Sequence, residues 1–361
     1  MNSKNYRITF FLLVFSYLCT YGQTPTPQSC LIALSKAAHT LSIVDPISLK
    51  VIAKIPVGED PHEVIASPDG KYAYVTIYGG GRFHEIDVLD LIAQKSKKIV
   101  DTRPLFGPHG IDYKNGKVWF SAEGSKAIGT FDAMKGLIDW SMGTGQDRTH
   151  MIYATADAKS IYTINISSGT VSIFNDTLIK LGPPPPPPPG APGTAVPNNP
   201  PGNFTLPPPR KDWIQTLVPV SRGSEGFDVT PDGNYLWTVS GEDGRISIVD
   251  LKAKKLLTKI DAKVLGANRL KFTLDGKYAV ISSLRIGNAF VFDVATMKEI
   301  QQIPIGKGAA GIEMDPNGKR VFVACTPDNY VAVIDLKSWT VTDHIDVGPN
   351  PDGLAWAKQN N

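Results

Sequence analysis

Between Asp60 and Trp356 one phrase is written seven times: a Gly- or Pro-rich turn, a polar residue, a short apolar run, a tight turn and a second short run. This recurrence constrains the fold more than any overall composition. Each copy is too small to bury its own apolar face, so neighbouring copies must stack to make a core.

The clearest copy runs from Pro61-His62-Glu63-Val64-Ile65 through Ser67-Pro68-Asp69-Gly70-Lys71 into Tyr72-Ala73-Tyr74-Val75-Thr76. Its turn is echoed at Lys114-Asn115-Gly116-Lys117, Ala156-Asp157-Ala158-Lys159, Pro231-Asp232-Gly233-Asn234, Leu274-Asp275-Gly276-Lys277 and Pro316-Asn317-Gly318-Lys319. Asp-Gly or Asn-Gly between apolar runs predicts a β-hairpin, because the turn requires positive φ, which Gly and Asn tolerate. A third strand follows, as in Ser42-Ile43-Val44-Asp45 or Ser247-Ile248-Val249-Asp250, and a fourth, as in Val51 to Ile55 or Leu256 to Ile260. Four short strands per roughly 40 to 45 residues is the pattern of a β-propeller blade.

The last first-strand, residues 353–357, has almost no chain after it. Residues 31–35 supply its missing partner, so the two ends of the chain share one blade and close the ring without an unpaired inner edge. The expectation is an all-β, seven-bladed propeller with four-stranded blades.

The strings KYAYVT at 71–76, SPDGKY at 67–72 and IPVG at 55–58, with their echoes, resemble the YVTN β-propeller repeat family. The resemblance covers nearly all of residues 31–358 and implies an extracytoplasmic propeller. It does not name an activity, since the related propellers include surface-layer proteins, lactonases, lyases and redox-cofactor domains.

Residues 1–22 read as a cleaved signal peptide: Lys4 and Arg7, an apolar run from Ile8 to Leu18, then Thr20-Tyr21-Gly22. The run is too short for a transmembrane helix, and bulky Tyr17-Leu18 before Cys19 speak against a lipoprotein signal. The chain is therefore expected to be periplasmic or secreted, with a short linker at 23–30 before the propeller. Cleavage would leave Cys30 and Cys325, but the repeat register puts them at opposite ends of equivalent strands, too far apart for a disulfide. The formal charge of +3 includes Lys4 and Arg7, so the remainder carries +1, and no nucleic-acid partner is expected.

From 182 to 209 the composition changes to Pro, Gly and Asn, with seven consecutive prolines at 183–189. This segment fits neither helix nor ladder and reads as an insertion in the fourth blade, between strands at 171–175 and 213–218. It is either a tolerated excursion or a docking strand for an aromatic-lined partner, on the face opposite the first-strand starts.

Setting the copies in register on their turns aligns His62, His109, His150, Glu225, Asn268, Ala310 and Asp352 at the start of the innermost strands. These residues are expected to converge at one mouth of the central channel, with Arg269 next along its strand. Three histidines and a carboxylate (His62, His109, His150, Glu225) are a credible set for one divalent transition metal, for a polar pocket without metal, or for structural hydrogen bonds between blades. Arg148 and Arg269 are candidate anion partners, and Asp112 and Asp228 candidate orienters of imidazole. The glycine run 79–81 lacks the strand-and-helix context of a phosphate loop and reads as a flexible surface loop.

Three functions remain open at this point. The first is a non-enzymatic recognition propeller for a small polar ligand, peptide or envelope component. The second is a metal-dependent lyase or lactone hydrolase using the His/Glu set, a plan that the family's lactonases and lyases resemble. The third is a redox propeller holding a heme-like cofactor, for which one axial His would suffice. No Gly-x-Ser-x-Gly, His-Glu-x-x-His, Cys-x-x-Cys or Cys-x-x-Cys-His motif is present.

Overall fold

The structure, a computed structural model, describes residues 23–180 and 208–360. Its strands form seven four-stranded antiparallel sheets, the blades of a propeller. Six blades use four consecutive strands, and the remaining one joins both ends of the chain. In it Pro351–Lys358 pairs with Ser29–Ser35 in the register Leu31↔Trp356 and Ala33↔Leu354, followed by Thr40–Val44 and Val51–Pro56. The ring closure expected from the sequence is thus present, lengthened at both ends. With this sheet as blade one, the innermost strands of blades one to seven are Pro351–Lys358, Pro61–Ala66, Pro108–Lys114, Thr149–Ala154, Ser224–Val229, Ala267–Phe272 and Ala309–Met314.

The middle strands of each blade carry the core. Runs such as Val321 to Ala324 and Val331 to Ile334 are buried on both faces, because each sheet is sandwiched between two others. The fourth strands form the rim and are exposed; Lys95, Lys97 and Lys98 on Lys95–Asp101 blunt one such edge against strand addition. At the axis the inner strands need backbone-to-backbone contact, which explains Gly110, Gly226, Gly311 and Gly353. A Cβ on any of them would fall 2.2–2.4 Å from the carbonyl oxygen of His150, Asn268, Asp352 or His62 in the next blade.

The leader expected at 1–22 lies outside the described residues, as do residues 182–207 of the Pro-rich insertion. The hairpin that flanks the insertion is longer than the sequence indicates: Thr170–Ile179 pairs with Arg210–Pro219 from Thr170↔Pro219 to Ile179↔Arg210. Its open end points away from the face on which His150 begins its strand. At the amino end the linker is shorter than expected, since Ser29 and Cys30 already belong to a strand. Thr26 before it donates to the Leu91 carbonyl of blade two. Cys30 and Cys325 are both buried and free, Cys30 opposite Ala357 and Cys325 opposite Ala309 near the other face. Among the described residues no helix is long and apolar enough to cross a membrane.

Candidate functional site

All seven inner strands lose register with their neighbours at the same place, for example between Pro61 and Val64, Pro108 and Ile111, Thr149 and Ile152, and Ala267 and Leu270. The lapse falls on the aligned polar position. A bulge of this kind re-aims the side chain it carries, here into the channel mouth. It also strips backbone groups of their ladder partners, and hydroxyls of the second strands replace them. Thr76 Oγ1 donates to the His109 carbonyl at 2.7 Å, Ser121 Oγ to that of His150, and Ser282 Oγ to that of Ala310 at 2.7 Å.

The residue two before the polar position has left-handed backbone in every blade: Asp60, Gly107, Arg148, Gly223, Gly266, Gly308 and Asn350, with φ between 53° and 74°. Glycine serves in four of them at no steric cost. Asp60 and Arg148 accept the cost, about 1 kcal/mol each, and both place a charge at the mouth.

The result is a cavity of about 510 Å³ whose walls include His62, His109, His150, Glu225, Asn268, Arg269 and Asp352, every ligand-binding candidate named from the sequence. The imidazoles form a tilted row, with ring centroids 4.7 Å apart and planes at 49° for His62 and His109, and 3.8 Å and 32° for His109 and His150. Tyr78 stands edge-on to both His62 and His109.

The row has two distinct ends. At one, Lys36 Nζ lies 2.6 Å from His62 Nε2, 3.2 Å from Asp60 and 3.5 Å from Asp352. His62 Nε2 also lies 3.2 Å from Asp60 Oδ1, and its Nδ1 faces Asp352 Oδ2 at 3.6 Å. At the other end His150 bridges two carboxylates, Glu123 at 2.7 Å from Nδ1 and Glu225 at 3.2 Å from Nε2. Burial alone would lower the His150 pKa, but the hydrogen bond to Glu123 and the nearby Glu225 carboxylate outweigh it and raise it above 6.5. Glu123 also accepts from Tyr78 Oη at 2.8 Å and Arg148 Nε at 3.0 Å. Burial pushes its carboxyl up, yet the His150 bond prevails and holds it at about 2.

His109, between these ends, differs from both. It is 1% exposed, and its buried Nδ1 has no hydrogen-bond partner among the described residues. Burial first, then the positive charge of its neighbours, drives its pKa well below 6.5, so it is a neutral imidazole. Below the row, Arg269 pairs with Glu63 and lies 3.9 Å from Glu225, closing the floor of the mouth.

The four residues read as metal ligands are therefore neighbours without being a ligand set. Both His150 nitrogens face carboxylates and Lys36 lies against His62 Nε2, while a metal requires deprotonated donors with free lone pairs. Among the described residues no group of three or more His, Cys, Asp or Glu is arranged to hold an ion. The glycine run 79–81 is a 3-10 turn behind Tyr78 rather than a loose loop.

The sequence places the 78–84 loop at the mouth but does not single out Tyr78 as a site residue, and it does not reveal Lys36 or Glu123. A second repeat position would have found them: the residue after each second strand reads Lys36, Tyr78, Glu123, Ile166, Gly241, Leu284 and Thr326. Five of these line the mouth or bond to it.

Residues 214–338 match the family described as the cytochrome D1 heme domain. That stretch supplies Glu225, Asn268, Arg269 and Ala310 to the mouth and contains none of the six histidines. No curated protein matches the chain significantly. Solved structures of similar fold include a functionally unknown protein from Desulfotomaculum acetoxidans, with TM-score 0.70 and 12% identity over 92% of this chain and 99% of that one. A Bacteroides uniformis protein provisionally assigned as a 6-phosphogluconolactonase gives 0.69 and 14% over 91% and 100%. The dihydro-heme d1 dehydrogenase NirN in complex with DHE gives 0.58 and 13% over 89% and 64%. At such identities these likenesses show the propeller fold alone.

Proposed function

We propose that this is an exported, YVTN-like propeller whose channel mouth binds a small polar ligand, a peptide end or an envelope component, without catalysing a reaction. The observation that carries this reading is His109: a buried, neutral imidazole whose Nδ1 has no hydrogen-bond partner among the described residues, on the wall of a cavity large enough for a small molecule. A buried polar atom left unpaired costs roughly 1–3 kcal/mol, which a ligand's hydrogen bond would offset. Asn268 Oδ1 is buried and unpartnered on the same wall. Arg148 and Lys36 flank them and would take an anionic group.

A thermal-shift screen with cell-wall fragments, short peptides and small organic acids, followed by calorimetry on hits, tests this. A hit should bind at least tenfold more weakly to His109→Phe, which keeps the row but lacks ring nitrogens. Hits indifferent to His109→Phe and Asn268→Leu would overturn the reading.

The heme-domain match favours a second reading, in which the mouth holds a tetrapyrrole. The donor set meets its minimum need: His109 offers a neutral nitrogen as axial ligand, and Arg148 and Lys36 would take ring carboxylates. Bound there, such a group would supply redox chemistry. Visible absorption after incubation with heme decides between the two readings; a spectrum unchanged from free heme removes the second.

A further inference from the structure

A second cavity, of about 320 Å³, occupies the channel beyond the Arg269–Glu63 floor. The inner-strand residue three places after the mouth position builds its walls: Ile65, Asp112, Tyr153, Asp228, Lys271, Glu313 and Ala355. This polar ring belongs to no part of the mouth site.

Its charged groups are not equivalent. Asp112 accepts from the Ala154 N–H at 2.8 Å and from Lys114 Nζ at 3.1 Å, and Asp228 from the Phe272 N–H at 3.0 Å. These two carboxylates tie each blade to the next and are committed to the fold. Glu63 is committed to Arg269. Lys271 and Glu313, on adjacent blades, are left over. Neither has an ion-pair partner within 4 Å among the described residues, although each feels the other's charge and that of Asp228. Arg269 lines this cavity too; its side chain is 9% exposed, and its Nε is buried without a partner.

An uncommitted ammonium, an uncommitted carboxyl and an unpaired guanidinium N–H thus share one small cavity. Its lining carries four acids (Glu63, Asp112, Asp228, Glu313) against three cations (Lys114, Arg269, Lys271). A ligand with net charge would upset a nearly balanced interior, whereas a dipolar one would complement it. Tyr153, Trp356, Ile65 and Leu354 add apolar wall.

We propose that the inner half of the channel is a second binding site, for a small zwitterion such as a free apolar α-amino acid. Its carboxylate would lie at Lys271 and Arg269 Nε and its ammonium at Glu313. The volume is at the small end of ligand pockets and suits a single amino acid rather than a peptide. This site does not rest on the reading given for the mouth.

L-leucine is the probe, compared with 4-methylpentanoate, which lacks the ammonium, and isoamylamine, which lacks the carboxylate. Saturation-transfer NMR and calorimetry on the full chain should show leucine binding and both analogues binding at least tenfold more weakly. Lys271→Met and Glu313→Gln, each checked by thermal melt for folding, should weaken leucine at least tenfold. The comparison among the three probes on the unaltered protein stands even if a variant fails to fold. No leucine binding at about 20 mM, equal binding of the three probes, or leucine binding lost in Arg148→Ala but kept in both channel variants would overturn the proposal.

Discussion

The rings of His109 and His150 lie with centroids 3.8 Å apart and planes at 32°, yet their surroundings shift the two pKa values in opposite directions, His109 down and His150 up. Two like charges at that separation would repel strongly in a partly dry site. Glu123 and Glu225 favour the proton on His150, against the opposing effect of burial.

Two-dimensional NMR of the histidine ring protons should therefore show His150 titrating above 6.5 and His109 remaining neutral well below it. For His150 the folded pKa is raised, so its stabilising contribution is complete below 6.5 and is lost as pH rises through the folded value. Glu123→Gln should lower the His150 pKa. A His150 titration unmoved by that change would refute the assignment.

Arg269 is buried, and Glu63 is its closest counter-charge. Glu63→Gln leaves the guanidinium under-compensated and should cost about 3 kcal/mol, read by urea denaturation. Combining it with Arg269→Met should recover most of the loss, since an isolated buried charge is worse than none. A double variant as unstable as the single one would contradict this.

Glu313 is pushed up to about 7, by burial first and by the Asp228 charge, against the pull of Lys271. A raised carboxyl adds stability that is complete below the unfolded value near 4.5 and is lost as pH rises through about 7. Glu313→Gln removes this dependence. Relative to the unaltered chain it should gain about 1–2 kcal/mol in going from pH 5 to pH 8, after discounting for water in the channel. Parallel stability curves for the two proteins would rule this out.

Gly110 sits where a Cβ would meet the His150 carbonyl oxygen at 2.4 Å. Gly110→Ala must therefore push blades three and four apart, at about 1–3 kcal/mol, and should weaken any mouth ligand along with His109→Phe. Unchanged stability would show that the inner strands tolerate more separation than their contact implies.

Burial pushes both the Cys30 and the Cys325 thiols up to about 12. Neither should react with a thiol reagent at pH 8 until the chain unfolds, so the rate of labelling should follow global unfolding. Rapid labelling of either in native buffer would show local opening of its strand.

The repeat determined most of the architecture directly. Hairpin turns, blade number, the pairing of residues 31–35 with 353–357 and the separation of Cys30 from Cys325 all follow from periodicity, because strand alternation and turn chemistry are local properties. The same register brought His62, His109, His150 and Glu225 to one mouth.

What register alone did not convey is how those groups face one another. The bulge at each inner-strand start turns the imidazoles into a tilted row, and Lys36 and Glu123, arriving from turns after the second strands, take up the nitrogens that a metal would need. The commitment of Asp112 and Asp228 to neighbouring blades, which leaves Lys271 and Glu313 without an ion pair among the described residues, is likewise a matter of contact across blades. A one-dimensional repeat places residues at a height and an angle around the channel. Which hydrogen bonds they make, and so which atoms remain for a ligand, depends on distances of a few tenths of an ångström that only the closed ring sets.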